Sequence, residues 1–270
     1  RALGLGHEVA VCDPNADATR ALAERGAFVA GSPKELAERC DVAAVVVLND
    51  EQVRAVVCGR DGLLAAERAA FDILVHSTIH LPTLLEVEAA ARARGVALVD
   101  AGVSGHVTGA AKGNLAVMVG GDEATGERCR PALEIYGGLV LRMGPLGAGM
   151  KAKVARNLLG FAQVAGIYEG LRLAEEAGID LDAFARIVRH SEAQSGLLDG
   201  FLSSPSVRAC DDATPHGRQR KALAKVVVET AHKDLSAALE LGRTLGLALP
   251  VALAAHDEVP ATWGAEPGPR

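Results

Sequence analysis

The sequence predicts an α/β domain with a doubly wound, mostly parallel sheet, followed by an all-α domain, and three observations carry that prediction. From residue 7 to about 143, short Val/Ile/Leu runs alternate with Ala/Glu/Arg-rich stretches of helical period. The runs at 42–48 and 73–75 are apolar throughout, the pattern of strands covered on both faces. After Gly144 the strand pattern stops. A βαβ succession of this kind builds a Rossmann-like sheet, which sets the expected domains at 1–143 and 144–270.

Taken in order, "HEVAVC" (7–12), "VAAVVVL" (42–48), "FDILVHS" (71–77), "VALVDA" (96–101) and "NLAVMVGG" (114–121) read as strands. Between them "NADATRALAERG" (15–26), "DEQVRAVVCG" (50–59) and "LPTLLEVEAAARARG" (81–95) read as helices. In the second half, 151–178, 181–193, 219–246 and 251–259 are helical by period and composition. The Ser/Pro/Asp/Gly-rich stretch 203–217 reads as a loop, and "GAEPGPR" (264–270) as a frayed tail.

Composition narrows the function classes. Hydrophobic residues make up 49% of 270, enough for a sizeable core. A net charge of −6 with signs interspersed, and only 3% aromatic residues, argues against a nucleic-acid surface. Cys12, Cys40, Cys58, Cys129 and Cys210 form no C-x-x-C pair, which fits reduced thiols in a cytoplasmic protein better than disulfides or zinc. The histidines form no H-E-x-x-H cluster, so no metal is expected. No apolar run reaches the ~18 residues of a membrane span, and no signal peptide opens the sequence.

A doubly wound sheet binds nucleotides beyond the carboxyl ends of its strands. The dinucleotide fingerprint, strand then G-x-G-x-x-G then an acidic residue ~20 positions on, is not found. "GHEVAVCDPN" has the form of its second strand with Asp13 in the ribose-binding position, and "RALGLG" reads as the last turns of the preceding helix with Gly6 as C-cap. In isolation Asp13 is equally a turn residue of "DPN". As a ribose ligand its carboxylate would accept from the 2′- and 3′-hydroxyls and repel a 2′-phosphate, favouring NAD over NADP. The first strand and Gly-rich loop are thus missing from the pattern, and the chain is expected to be a shortened version of a full enzyme.

"GAGMKAKVARN" (147–157) opens the second half. Residues four apart share a helix face, so Lys153 and Asn157 lie together, at the edge of the stripe Val154, Leu158, Phe161, Ala165 and Tyr168 that Gly178 ends. From this helix alone Lys153 could be one more solvated lysine.

Several stretches together resemble the β-hydroxyacid dehydrogenase family, which includes 3-hydroxyisobutyrate dehydrogenase and tartronate semialdehyde reductase and is related to 6-phosphogluconate dehydrogenase. "VDAGVSGHVTGAAKGNLAVMVGG" (99–121) resembles its D-A-P-V-S-G-G substrate segment, and "GAGMKAKVARN" its G-x-G-x-x-x-K-x-x-N-N. "HKDLSAA" (232–238) resembles its K-D-L-x-x-A, "HSTI" (76–79) its S-T element, and "VCDPN" (11–15) the acidic-ended second strand of NAD-using members. The resemblance runs in order from residue 3 to about 255. It implies Lys153 as catalytic general acid/base and Asn157 as the residue that orients substrate. It implies that Ser104, Gly105 and His106 hold the substrate carboxylate. Asp13, Leu48, Thr78 and Lys233 fall on the cofactor side; for Thr78 strand-end packing, and for Lys233 pairing with Asp234 on a helix surface, are the plain alternatives. A homodimer or homotetramer is implied as well.

The sequence departs from the family in three pocket positions. Gly102 stands where proline is usual, a change expected to be harmless to the chemistry. His106 replaces the second glycine of the carboxylate segment, narrowing the pocket or adding a donor. Arg156 replaces the first asparagine of the N-N pair and is expected to bind a second acidic group of the substrate or to lower the lysine pKa. Gly160 occupies the place of the catalytic glutamate of 6-phosphogluconate dehydrogenases, and Lys153 is usually lacking in imine reductases, so both of those activities are disfavoured. The leading reading is NAD-dependent hydride transfer to or from a small 3-hydroxyacid or its semialdehyde. The competing one is a non-catalytic or shortened relative that keeps the fold for ligand binding or assembly.

Overall fold

A computed structural model describes residues 1–68, 70–190, 213–244, 246 and 248–263. The chain divides into two compact units, Arg1–Lys153 and Val154–Arg270.

The first unit is a doubly wound α/β structure. It contains strands β1 (Ala10–Val11), β2 (Phe28–Val29), β3 (Val42–Val45), β4 (Asp72–Val75), β5 (Ala97–Ser104), β6 (Leu115–Gly120) and β7 (Gly137–Gly144). Helices α1 (Ala16–Ala23), α2 (Pro33–Ala37), α3 (Asp50–Cys58), α4 (Leu81–Ala93), α5 (His106–Lys112) and α6 (Glu123–Glu134) alternate with them. Five strands form one sheet in the order β3-β4-β5-β6-β7, parallel except for the antiparallel β5–β6 pair. β1 and β2 form a separate two-stranded parallel sheet. Short polar caps start the helices: Asn15, Ser32, Asn49 and Asp122 each accept from a backbone N–H of the following turn.

β4 fits the expected two-sided burial. Ile73 and Val75 enter one apolar cluster with Val53, Val57, Leu84 and Val87, while Leu74 enters another with Val99, Val117, Cys129 and Leu133. The run 42–48 does not fit it. Only 42–45 is strand, Ala44 is exposed, and Val46 and Leu48 are 71% and 74% exposed. The reason is position: β3 pairs only with β4 and ends the five-stranded sheet, so nothing flanks it on its other side within that sheet. "HEVAVC" also contracts, to Ala10–Val11, because its single partner β2 is two residues long. β2, β7, α2, α5 and α6 are additions to the expected elements. Gly6 does cap a helical turn, with φ +84° and its N–H on the Leu3 carbonyl, although that turn (Leu3–Leu5) is 3-10.

The second unit is helical throughout its described residues. α7 (Ala148–Glu176) runs into it from the first unit, followed by α8 (Leu181–His190), α9 (Pro215–Thr244) and α10 (Pro250–Thr262). The stripe on α7 faces the core as the period requires: buried Val154 packs with Ala237 and Ala238, partly buried Leu158, Phe161 and Ala165 with Leu235, Ala255 and Val259, and buried Tyr168 with Ala185. Gly178 takes φ +73° just past the helix, and its N–H meets the Glu175 carbonyl. The expected loop at 203–217 gives up its last three residues to α9, which Pro215 opens because a missing N–H costs nothing at the first helical position. Residues 191–193, 203–212 with Cys210, and 264–270 lie outside the described residues. No helix among the described residues is long and apolar enough to cross a membrane.

Candidate active site

In the first unit the candidate residues stand at strand ends. Asp13 is exposed two residues beyond β1, and its Oδ1 accepts from the Asn15 N–H at 2.8 Å, so the turn role is realised and one carboxylate oxygen is committed to it. Beyond β3, the Val47 N–H donates to Ser77 Oγ at 2.8 Å and the Leu48 N–H to Gln52 Oε1 at 2.8 Å. Thr78 is buried just past β4. These are the carboxyl ends of parallel strands, where a doubly wound sheet takes a nucleotide. The polar groups there, an exposed carboxylate beyond β1 and backbone beyond β3 held by the Ser77 hydroxyl and the Gln52 amide, are compatible with a nucleotide's hydroxyls and uncharged portions.

His76, between β4 and Ser77, escaped the sequence reading. Its Nδ1 lies 2.5 Å from the Ala101 carbonyl and its Nε2 2.8 Å from the Tyr136 hydroxyl. A carbonyl only accepts, so Nδ1 carries the proton and Nε2 accepts from the phenol. Burial holds the imidazole pKa below its usual value, opposed in part by the Ala101 hydrogen bond, and burial likewise raises the Tyr136 phenol.

Ser104 closes β5 half-buried. Gly105 follows with φ +134°, a conformation that favours glycine, and a Cβ there would also press on Leu115 Cδ2 at 2.9 Å. His106, exposed, takes φ +57°, the one non-glycine in the left-handed region among the described residues. A glycine here would be unstrained; histidine is not.

Asp100, fully buried on β5, accepts from the N–H groups of Gly147 at 2.7 Å and Met150 at 2.5 Å, satisfying donors that the first turn of α7 leaves unpaired. Desolvation raises its carboxyl pKa against the lowering effect of those N–H bonds. The helix start lies close against the sheet because glycines meet there: Gly149 sits on the Met118 carbonyl, and a Cβ on Gly120 would stand only 2.5 Å from Asp100 Oδ1. At Gly102 a Cβ would stand 2.7 Å from Lys153 Cβ and 3.1 Å from its Cγ, so this glycine lies directly under the lysine stem.

Lys153 is half-buried, and Asn157, one turn on, is buried. Within the second unit Asn157 Nδ2 donates to Asp234 Oδ2, and Lys233 Nζ lies 3.3 Å from Asp234 Oδ1. Lys233 therefore realises the plain pairing with its neighbour. Arg156 is exposed, and its guanidinium Nη1 donates to Asn157 Oδ1 at 3.4 Å. Asp234 is the further residue that sequence reasoning passed over, although "HKDL" contains it.

The chain is similar to known proteins over most of its length. Residues 1–144 match the NAD binding domain of 6-phosphogluconate dehydrogenase, and residues 147–266 match the family described as the NAD-binding of NADP-dependent 3-hydroxyisobutyrate dehydrogenase. An uncharacterized oxidoreductase of Mycobacterium tuberculosis is 34% identical over 254 residues, covering 94% of this chain and 84% of the relative. The NAD-dependent L-serine dehydrogenase of Pseudomonas aeruginosa is 34% identical over 205 residues, 76% of this chain and 69% of that one. Among solved structures, the 3-hydroxyisobutyrate dehydrogenase of M. tuberculosis with L-serine superposes with a TM-score of 0.79 at 31% identity, covering 98% of this chain and 88% of the other. With both halves matched in order and relatives this similar over most of its length, the chain belongs to the β-hydroxyacid dehydrogenase family of NAD(P)-dependent oxidoreductases.

Proposed function

We propose that this chain transfers hydride between a nicotinamide cofactor, NAD in preference to NADP, and a small 3-hydroxyacid or its semialdehyde, with Lys153 as general acid/base. The observation that carries the reading is the pair Lys153 and Asn157 on successive turns of α7, the lysine stem lying on Gly102 of the strand that ends at Ser104, with Gly105 next. Two relatives point to the substrate class, since one is named for L-serine and another was solved with it, and serine carries its hydroxyl on C3.

In the oxidative direction the substrate hydroxyl gives its proton to neutral Lys153 Nζ as its carbon loses hydride; in reduction the ammonium returns that proton to the forming alkoxide. Bound nicotinamide supplies the hydride acceptor or donor. Lysine titrates near ~10.4 in water, so this duty needs its ammonium destabilised by desolvation or neighbouring positive charge. Ser104 and the backbone N–H groups around Gly105 hold the carboxylate, and His106 adds a donor beside them. Asn157 orients the substrate, with its amide anchored by Asp234. Arg156 takes a second acidic group or lowers the lysine pKa, which Arg156→Asn checks by substrate preference and pH–rate profile. Asp13, Leu48, Thr78 and Lys233 serve the cofactor, Asp13 as the ribose ligand. The residues 1–143 form the cofactor domain and 144–270 the substrate and oligomer domain of a cytoplasmic homodimer or homotetramer, a size that light scattering reads.

Lys153→Ala should lower turnover on 3-hydroxyacids by about 10²–10⁴-fold while leaving NADH binding intact. Calorimetric titration with NADH and NADPH tests the cofactor choice: equal affinity for the two would refute the role given to Asp13.

A further inference from the structure

The position of Lys153 is set from the sheet side. Its Cβ and Cγ lie over the bare Cα of Gly102, and the turn from which it springs is fastened to β5 by the Asp100 carboxylate through the Gly147 and Met150 N–H groups. Two residues apart on one strand, Asp100 and Gly102 face the same side of β5. Gly149 adds to this: with a Cβ it would run into the Met118 and Asp100 carbonyls, so the helix cannot ride higher without releasing both hydrogen bonds.

We propose that Gly102 and Asp100 are positioning residues for Lys153: the absent side chain at 102 sets how closely the lysine stem lies on β5, and the Asp100 carboxylate fixes the helix turn that carries it. The functional part of this rests on the reading of Lys153 as general acid/base; the placement of the lysine does not. A methyl group on residue 102 cannot share space with Lys153 Cβ at 2.7 Å, so the stem or the strand must move. A misplacement on the order of 1 Å at a reacting group costs about 10²-fold in rate.

The test compares Gly102→Ala and Asp100→Asn with Gly126→Ala, whose added Cβ meets only Val119 Cγ1 at an ordinary 3.7 Å. Gly102→Ala should lower kcat by about 10- to 100-fold at nearly unchanged KM and NADH affinity, and Gly126→Ala should change none of these. A second readout is independent of catalysis: in reductively ¹³C-methylated protein, the Lys153 signal, assigned by its loss in Lys153→Ala, should shift in both β5 variants and change its titration midpoint, with the other lysine signals fixed. Asp100→Asn serves if Gly102→Ala does not fold. A Lys153 signal that superposes on the wild type in the folded variants overturns the proposal. So does wild-type kcat in Gly102→Ala when Lys153→Ala is inactive. Full activity in Lys153→Ala sinks the general acid/base reading instead, and the resonance shift still decides the placement.

Discussion

Lys153 and Asn157 stand one turn apart on α7, yet they are held by different kinds of interaction. On the Lys153 side the supports are backbone and absence of bulk: Gly102 beneath the stem, Gly149 against carbonyls, and Asp100 bonded only to main-chain N–H groups. On the Asn157 side the support is side chain and charge: the amide donates to the buried Asp234 carboxylate, which Lys233 neutralises from 3.3 Å. A carboxylate accepts and does not donate, so Nδ2 is the end that faces Asp234 and Oδ1 points away from it. Close backbone packing fixes a position; a charged acceptor fixes an orientation. The general acid/base role proposed for Lys153 would need the first, and the substrate-orienting role proposed for Asn157 the second.

Removing Asp234 should break the comparison most severely. A hydrogen bond to a charged group contributes about 1.5–3 kcal/mol, which corresponds to about 10- to 100-fold in rate if Asn157 must be preset. Asp234→Ala is therefore expected to lower kcat by that factor and to reduce the unfolding free energy by about 1–3 kcal/mol, because Asn157 and Lys233 lose a common partner. The exchange Asn157→Asp with Asp234→Asn restores a carboxylate–amide bond with its polarity reversed. It should recover stability without recovering turnover. Wild-type kcat in Asp234→Ala would show that the orientation of Asn157 is not set there.

On the sheet side, His76 has a pH effect whose sign follows from its burial. His76 is neutral in the fold, because burial depresses its pKa below the ordinary value. Below about pH 6.5 the unfolded chain takes up a proton on this residue and the folded chain does not, so stability falls as pH falls, by at most about 1.4 kcal/mol per pH unit, until the folded-state pKa is reached. Above that range His76 contributes no pH dependence. His76→Gln keeps a donor for Ala101 and an acceptor for Tyr136 and cannot titrate, so denaturant curves from about pH 7 to 5 should be flatter than those of the wild type by this amount. Identical slopes would mean that the imidazole charges inside the fold.

Much of this architecture was legible because it rests on period. The stripe on α7 and the two-sided burial of β4 follow from spacing alone. β7 did not show itself, since "GGLVLRMG" opens on glycines and carries Arg142 among its apolar residues, and an edge strand needs only one neighbour to hold it. α5 was hidden by Gly109 and by lying within the stretch 99–121, read by its motif rather than by its period. The exposure of Ala44, Val46 and Leu48 depends on which strand ends the sheet, a property of topology that no local pattern contains. Lys153 and Asn157 could be found by motif, but Asp100, Gly102, His76 and Asp234 act through contacts 25 to 77 residues away in sequence, visible only once the strands are paired.

His106 offers the smallest and most local test of how the sheet side is built. Its φ of +57° places a residue with a Cβ where glycine is at ease, next to Ser104 and Gly105. Left-handed backbone costs a non-glycine residue about 1–3 kcal/mol, at the low end for histidine, which is among the residue types enriched there. His106→Gly relieves that strain and adds freedom to the unfolded chain, two effects that offset one another. The expected change in unfolding free energy is therefore between zero and a gain of about 1 kcal/mol, read from the denaturant midpoint at constant m. Substrate KM should rise at the same time, since the variant loses the donor proposed to sit beside the carboxylate. A loss of stability greater than about 1 kcal/mol would mean that the imidazole packs rather than strains. An unchanged KM would mean that the conformation at 106 is kept for the path of the chain into α5 and not for the ligand.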